Sequence, residues 1–304
     1  MTAGASADRS RIPFIAGLRD IADEYDAILC DGWGVLIDGR RHFPEAAEAL
    51  RRFRARGGSV VLITNASRPD EEVRRQLLGL GLGVPQDCFD DLLSAGELAL
   101  REIVARAGQA VYHLGPPRDD GLFRAAARRL GAPIMRVGPQ AADYIVCTGL
   151  FDERNETPSD YDEQLAALKA RDLTMLCANP DIVVAIGNDL VYCAGAIAER
   201  YAAIGGRVLT LGKPHAPIYA AALERLKNLR GGKVDKARTL AIGDGAFTDL
   251  AGAGRAGLDC LFIIHGVHRA ELHPGGGALD EAALESLFAR AGARPKALAR
   301  ELFW

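Results

Sequence analysis

The chain has 304 residues, 49% of them apolar, with a formal net charge of −3 and a pI near 6.1. That suffices for a buried core in one large domain or two modest ones and excludes a disordered chain. The slight acidity and scattered arginines exclude a nucleic-acid footprint. No stretch is long and apolar enough to span a bilayer, and MTAGASADRSRIPF has no apolar leader segment, so a cytoplasmic protein without a membrane partner is expected. The six cysteines (Cys30, Cys88, Cys147, Cys177, Cys193, Cys260) stand singly, mostly in apolar runs and without metal-type pairing, and are expected to be reduced core thiols.

In chain order, the helix-like IAGLRDIADEY (15–25) precedes the strand-like AILCD (27–31), and EAAEALRRFRARG (45–57) precedes SVVLIT (59–64). A second series fills the middle: AVYHLG (110–115), a helix around 119–130, DYIVCTG (143–149), the helical YDEQLAALKA (161–170) and TMLCANPD (174–181). The first rhythm resumes with IYAAALERLKNLR (218–230), TLAIGD (239–244), LAGAGRAG (250–257) and CLFIIHG (260–266). This alternation predicts an α/β chain with a largely parallel sheet. The middle series would bury a sheet of its own, so residues 94–206 are expected to form a domain inserted between two parts of a core domain, 1–93 and 207–304.

In such sheets ligands bind beyond the carboxyl ends of the strands. Asp31, the pair Thr64 and Asn65, and Asp244 all fall at such ends. One aspartate there is commonly a helix cap or a solvated loop residue; three polar ends suited to one chemistry are not generic. GDGAFTD (243–249) adds Asp249 a turn after Asp244, and LGKPHAP (211–217) adds Lys213 in a chain with 31 Arg and 6 Lys. Two carboxylates facing one space repel unless a cation lies between them, and oxygen ligands favour magnesium. The same cation can bridge to a phosphate, Thr64 can donate to a phosphoryl oxygen, and Lys213 can offset its charge. The backbone N–H groups of the glycine-rich loop that starts at Gly32 can cradle the group. The combination points to phosphoryl transfer to a carboxylate nucleophile. GAGRAG (252–257) formally matches a dinucleotide fingerprint but lies inside a helical stretch, where small residues serve close packing.

The ordered set DGWGVLIDG, LITNAS, GKP and GDGAFTD, with DYIVCTGLFDE, CANPD and CAGAIA between the second and third, resembles the haloacid dehalogenase superfamily. Within it, the chain is similar to the class IIA branch of NagD-type and pyridoxal-phosphatase-like phosphatases, over nearly its whole length. The resemblance implies a Rossmann-like core with an inserted α/β cap of C2 type, and a small phosphorylated metabolite as substrate. It implies magnesium held by Asp31, Asp244 and the Trp33 backbone carbonyl, with an aspartyl-phosphate on Asp31. Thr64 would bind the phosphoryl group with Asn65 nearby, and Lys213 would order and neutralise the site. Asp249 would support the metal shell or Lys213, while Asn179 and Asp181 would lie where cap and core meet. Relatives in this branch often pair through their caps, so a homodimer is a further implication.

The sequence departs from that pattern at one position. Phosphatases of the superfamily carry a second aspartate two residues after the nucleophile, which protonates the leaving oxygen and then activates water; here it is Trp33. Indole exchanges no proton in the relevant range, a deficit on the order of 10²–10⁴-fold if nothing replaces it. Metal ligation through the Trp33 carbonyl survives the change. Three readings follow: a phosphatase or phosphotransferase whose acid is unnecessary or replaced, a carbon–halogen hydrolase, and a non-catalytic binder of a phosphorylated metabolite. The pair Asp244 and Asp249 favours the metal-using phosphatases over the dehalogenases, which use no magnesium. Asp38 is a candidate replacement acid, although its DG pair is a common turn. His113, Arg118 and Asp152 are expected at solvated loop positions.

Overall fold

The computed structural model describes residues 12–79, 82–186, 189–232 and 234–304. Its strands in chain order are β1 (Ala27–Asp31), β2 (Ser59–Thr64), β3 (Asp91–Ser94), β4 (Val111–Leu114), β5 (Tyr144–Cys147) and β6 (Thr174–Cys177). There follow β7 (Val183–Ile186), β8 (Asp189–Tyr192), β9 (Arg207–Thr210), β10 (Thr239–Gly243), β11 (Asp259–Ile263) and β12 (Ala297–Ala299). The larger sheet runs β12-β11-β10-β1-β2-β3, with every pairing parallel. A smaller parallel sheet runs β4-β5-β6-β9, and β7 with β8 forms an antiparallel hairpin. The expected α/β class with mainly parallel sheets is therefore what forms.

The continuous apolar runs of the larger sheet are buried on both faces, as parallel strands between helices must be. Ala27, Leu29, Val61 and Ile63 face one apolar cluster, while Ile28, Cys30, Val60 and Leu62 face the other. The first cluster continues through Leu98, Leu122 and Phe123 to Val111, Val146 and Leu176 of the smaller sheet. All six cysteines are buried and free. Among the described residues, no helix is long and apolar enough to cross a membrane.

Two local expectations are revised. Residues 15–25 form two short 3-10 turns, Leu18–Asp20 and Ala22–Glu24, instead of a helix. The segment spends its N–H groups elsewhere: Ile15 donates to Leu298 O (2.9 Å) and Leu18 to Phe303 O (2.7 Å), which ties it to the chain's last residues. At the other junction, Arg207–Thr210 pairs with β6, so the smaller sheet takes in four residues beyond 206. The GAGRAG stretch lies largely within helix Ala251–Ala256. A Cβ at Gly252 would run into the Tyr219 ring, so the glycine there serves close packing against the neighbouring helix.

What this topology does for function is a matter of adjacency. β10, β1 and β2 are neighbours, and their register sets Cys30 beside Ile242 and Asp31 beside Ile63. Their carboxyl ends therefore bring Asp31, Thr64 and Asp244 to one edge.

Candidate active site

Asp31 ends β1 and is 8% exposed. Its Oδ1 accepts from Gly32 N–H (2.7 Å), and its Oδ2 lies 2.7 Å from Lys213 Nζ. The same ammonium donates to Asp249 Oδ1 at 2.8 Å. Lys213 is itself 2% exposed, so this is a buried cation between two carboxylates. Burial alone would lower its pKa, but Asp249 and Asp31 outweigh that and hold it well above the ordinary lysine value.

Asp249 is delivered by a single π turn, Ala246–Leu250, in which Leu250 N–H reaches Gly245 O at 3.0 Å. Such one-turn widenings recur at functional sites because they re-aim a side chain. Asp249 Oδ2 accepts from Gly245 N–H (3.1 Å) and the Thr248 hydroxyl (3.3 Å). Asp244 follows β10, and its Oδ2 accepts from Val267 N–H at 2.7 Å. Gly34, at φ +78°, and Gly266 flank it so closely that a Cβ on either would strike the carboxylate. Here glycine is required by space and, at Gly34, by a backbone that other residues rarely adopt.

The ligand atoms of Asp31, Asp244 and Asp249 all lie within 4.8 Å of one another, and all three residues are buried. Against them stands one lysine. Fully ionised, the cluster would bury two uncompensated negative charges, which is costly. Accordingly burial, then Asp249, push Asp31 well above the usual carboxylate range against the opposing pull of Lys213. Asp244 is raised to about 7, by burial and then by Asp249. An all-oxygen, anionic, buried set of this kind fits a hard divalent cation.

Thr64 and Asn65 stand beside this cluster, buried at the end of β2. The Thr64 hydroxyl accepts from Ala66 N–H at 3.3 Å. Asn65 is a tie between segments: its Oδ1 accepts from Lys213 N–H (2.7 Å), and its Nδ2 donates to Lys213 O (3.1 Å) and to Asp181 Oδ1 (2.8 Å). Asn179 Oδ1 in turn accepts from Asp181 N–H at 3.1 Å. The CANPD turn after β6 thus touches the turn after β2 through one side-chain bond.

A cavity of about 450 Å³ is lined by Asp31, Trp33, Thr64 and Asn65 from the strand ends of the larger sheet, by Lys213 from the loop after β9, and by Asn179 and Asp181 from the second series. Trp33 is half-buried, packs against the core cluster that holds Ile28 and Cys30, and lends its indole to the wall. Asp38 also reaches the wall, but as a turn residue: its Oδ1 accepts from Arg40 N–H (2.8 Å) and Arg41 N–H (2.9 Å). Partial burial works to raise its pKa, and those N–H groups with the Arg41 charge outweigh it and hold Asp38 below the ordinary value. It is held ionised and is a poor proton donor.

Of the three residues expected in solvent, Asp152 is there, capping its own turn through Arg154 N–H (3.1 Å). His113 is not: as a β4 residue it is buried, with Nε2 2.9 Å from the Thr148 hydroxyl. Arg118 lines the cavity, paired to Glu153. Sequence reasoning missed Ser67, Arg68, Asp119, Thr148, Glu153 and Tyr192 on the cavity wall. Ser67 and Arg68 follow directly on LITNA, and Thr148 and Glu153 lie within DYIVCTGLFDE, so these were within reach; Asp119, in the turn after β4, and Tyr192, at the end of β8, stand where the sequence carries no chemical signature.

Two family models match the chain, one described as haloacid dehalogenase-like hydrolase over residues 28–129 and one as HAD-hydrolase-like over 210–287. Human chronophin is 28% identical, covering 84% of this chain and 86% of its own. The ribonucleotide monophosphatase NagD of Escherichia coli K12 is 26% identical, covering 79% and 88%. A solved haloacid dehalogenase-like hydrolase from Brucella suis is 42% identical and covers 94% of this chain and 98% of its own, with a TM-score of 0.80.

Proposed function

The chain belongs to the haloacid dehalogenase-like hydrolase family, and on that premise we propose that it is a magnesium-dependent phosphatase of small phosphorylated metabolites working through an aspartyl-phosphate on Asp31. The observation that carries the reading is the buried cluster of Asp31, Asp244, Asp249 and Lys213, of which Asp31 and Lys213 line a cavity of metabolite size.

Asp31, Asp244 and the Trp33 backbone carbonyl would hold the metal, with Asp249 in support. When bound, the divalent cation offsets the charge of the carboxylates and of the phosphoryl oxygens. Asp31 Oδ2 is the nucleophile: its lone pair forms the bond to phosphorus as the bond to the leaving oxygen breaks. Lys213, between Asp31 and Asp249, orients the nucleophile and stabilises the charge spread over the phosphoryl oxygens in the transition state. The Thr64 hydroxyl donates to those oxygens, Gly32 N–H does so in exchange for its bond to Asp31 Oδ1, and Asn65 fixes Lys213 through two backbone bonds. Residues 94–206, with β9 completing their sheet, act as the cap whose CANPD turn, through Asn179 and Asp181, closes one side of the cavity.

The test is hydrolysis of p-nitrophenyl phosphate with magnesium and with EDTA, in the natural protein and in Asp31→Asn. Turnover that needs both magnesium and Asp31 supports the reading. Full activity in EDTA, or in Asp31→Asn, removes it.

A further inference from the structure

Resting on that reading, one question stays open at the site: what supplies the proton that Trp33 cannot. Five carboxylates line the cavity: Asp31, Asp38, Asp119, Glu153 and Asp181. Four are committed to the ionised state or to another task. Asp31 is the nucleophile on Lys213. Asp38 is fixed by two N–H groups and an ion pair with Arg41 at 3.5 Å. Glu153 is clamped by both terminal nitrogens of Arg118. Asp181 is also raised by burial, against the pull of the Asn65 amide and the Lys213 charge, but it is taken up by its bond from that amide (2.8 Å), which ties the CANPD turn to the turn after β2.

Asp119 differs. It is 3% exposed, in the short turn Pro117–Asp120 after β4. Its polar side-chain neighbours are hydroxyls: Ser67 Oγ donates to its Oδ2 at 3.3 Å, and Thr148 faces it from the loop after β5. Among the described residues it has no ion-pair partner. A buried carboxyl whose bonding partners are neutral holds its proton more readily than an exposed one. Burial indeed raises Asp119, against the pull of Thr148, of the Arg118 and Arg68 charges and of Ser67.

The position also suits the task. Attacking and leaving oxygens stand on opposite sides of the transferred phosphorus. A donor must therefore approach from the wall facing the nucleophile. Asp119 belongs to the smaller-sheet wall, and its bond to Ser67 brings it against the turn that begins with Thr64.

We propose that Asp119 is the catalytic acid and base that takes the place of the missing carboxyl at position 33. In the first step Asp31 Oδ2 bonds to phosphorus, the bond to the leaving oxygen breaks, and that oxygen takes the Asp119 proton. In the second, water attacks the phosphorus of the aspartyl-phosphate, Asp119 takes the proton of the water, and Asp31 leaves as carboxylate. The sum is one phosphomonoester and one water converted to one alcohol and one phosphate, with both side chains restored.

The experiment is rapid-mixing kinetics on the full chain with magnesium, using p-nitrophenyl phosphate and a panel of alkyl phosphates that includes glycerol 3-phosphate. In Asp119→Asn, phosphorylation by alkyl phosphates should fall on the order of 10²–10⁴-fold. The p-nitrophenol burst should hold within about tenfold because that leaving group needs no proton. Steady turnover should then drop, so that phosphorylated Asp31 accumulates. The alkaline limb of the alkyl kcat/KM profile should disappear in Asp119→Asn, and Asp119→Glu should recover part of the alkyl rate. Thermal midpoints confirm that the variants are folded. Equal losses on both substrate types, or no loss on alkyl phosphates, would overturn the assignment. So would natural protein that turns over the aryl ester and none of the alkyl panel. A natural protein that never phosphorylates Asp31 would instead bring down the phosphatase reading, and this assignment with it.

Discussion

Replacing Asp244 by asparagine should stabilise the metal-free protein while destroying its response to magnesium. The carboxyl is raised from 3.8 to about 7 by burial and by Asp249. A raised carboxyl contributes its stability below the unfolded pKa and loses it as pH rises through the folded one. At pH 8 the ionised group therefore costs stability: roughly 3 units at about 1.4 kcal/mol each, an upper figure of about 4 kcal/mol. Asparagine keeps an oxygen for the Val267 N–H bond, now 2.7 Å. In EDTA at pH 8 the variant should gain about 1–4 kcal/mol, seen as a thermal midpoint higher by about 1.5 °C for each kcal/mol. The gain should shrink as pH falls below about 7 and vanish only below about 4, where the carboxyl is neutral in the unfolded chain as well. At magnesium a hundredfold above its dissociation constant, the natural protein should gain about 2.7 kcal/mol and the variant almost nothing. A variant less stable than the natural protein in EDTA at pH 8, or an equal magnesium shift in both, would refute the reasoning.

Lys213→Met should act oppositely, costing about 3–5 kcal/mol at neutral pH because it strands buried Asp31 and Asp249 without their cation; chemical denaturation measures it, and hydrolysis should fall too. Gly34→Ala should drive the Asp244 carboxylate out of place and weaken magnesium binding in calorimetric titration, while Gly57→Ala, at the similar φ of +85° but with open space around its Cβ, should not. Trp33→Asp should restore alkyl phosphate turnover in the Asp119→Asn background far more than it raises the natural protein. The lost aromatic packing at this half-buried position should cost about 1–3 kcal/mol, so midpoints are read alongside rates.

The position of the candidate site was legible where it coincided with strand ends. Asp31, Thr64 and Asp244 close apolar runs of five or six residues, so the sheet's periodicity alone puts them on one edge. Lys213 was visible through its rarity. The opposite wall was not legible, because Asp119 meets Ser67 across 52 residues of sequence and only the packing of the smaller sheet brings them together. His113 was misjudged for the same reason: AVYHLG does not reveal that its histidine turns inward to Thr148. The stretch 15–25 has a helix's composition, yet two of its amides, Ile15 and Leu18, pair with the far end of the chain.

Acid quenching during turnover, followed by mass spectrometric mapping, measures directly whether phosphate passes through Asp31. Natural protein mixed with p-nitrophenyl phosphate and magnesium should carry one phosphoryl group on the peptide containing Asp31; EDTA or Asp31→Asn should abolish it. Phosphate on another residue, or turnover at the natural rate without any phosphorylated Asp31, would contradict the mechanism.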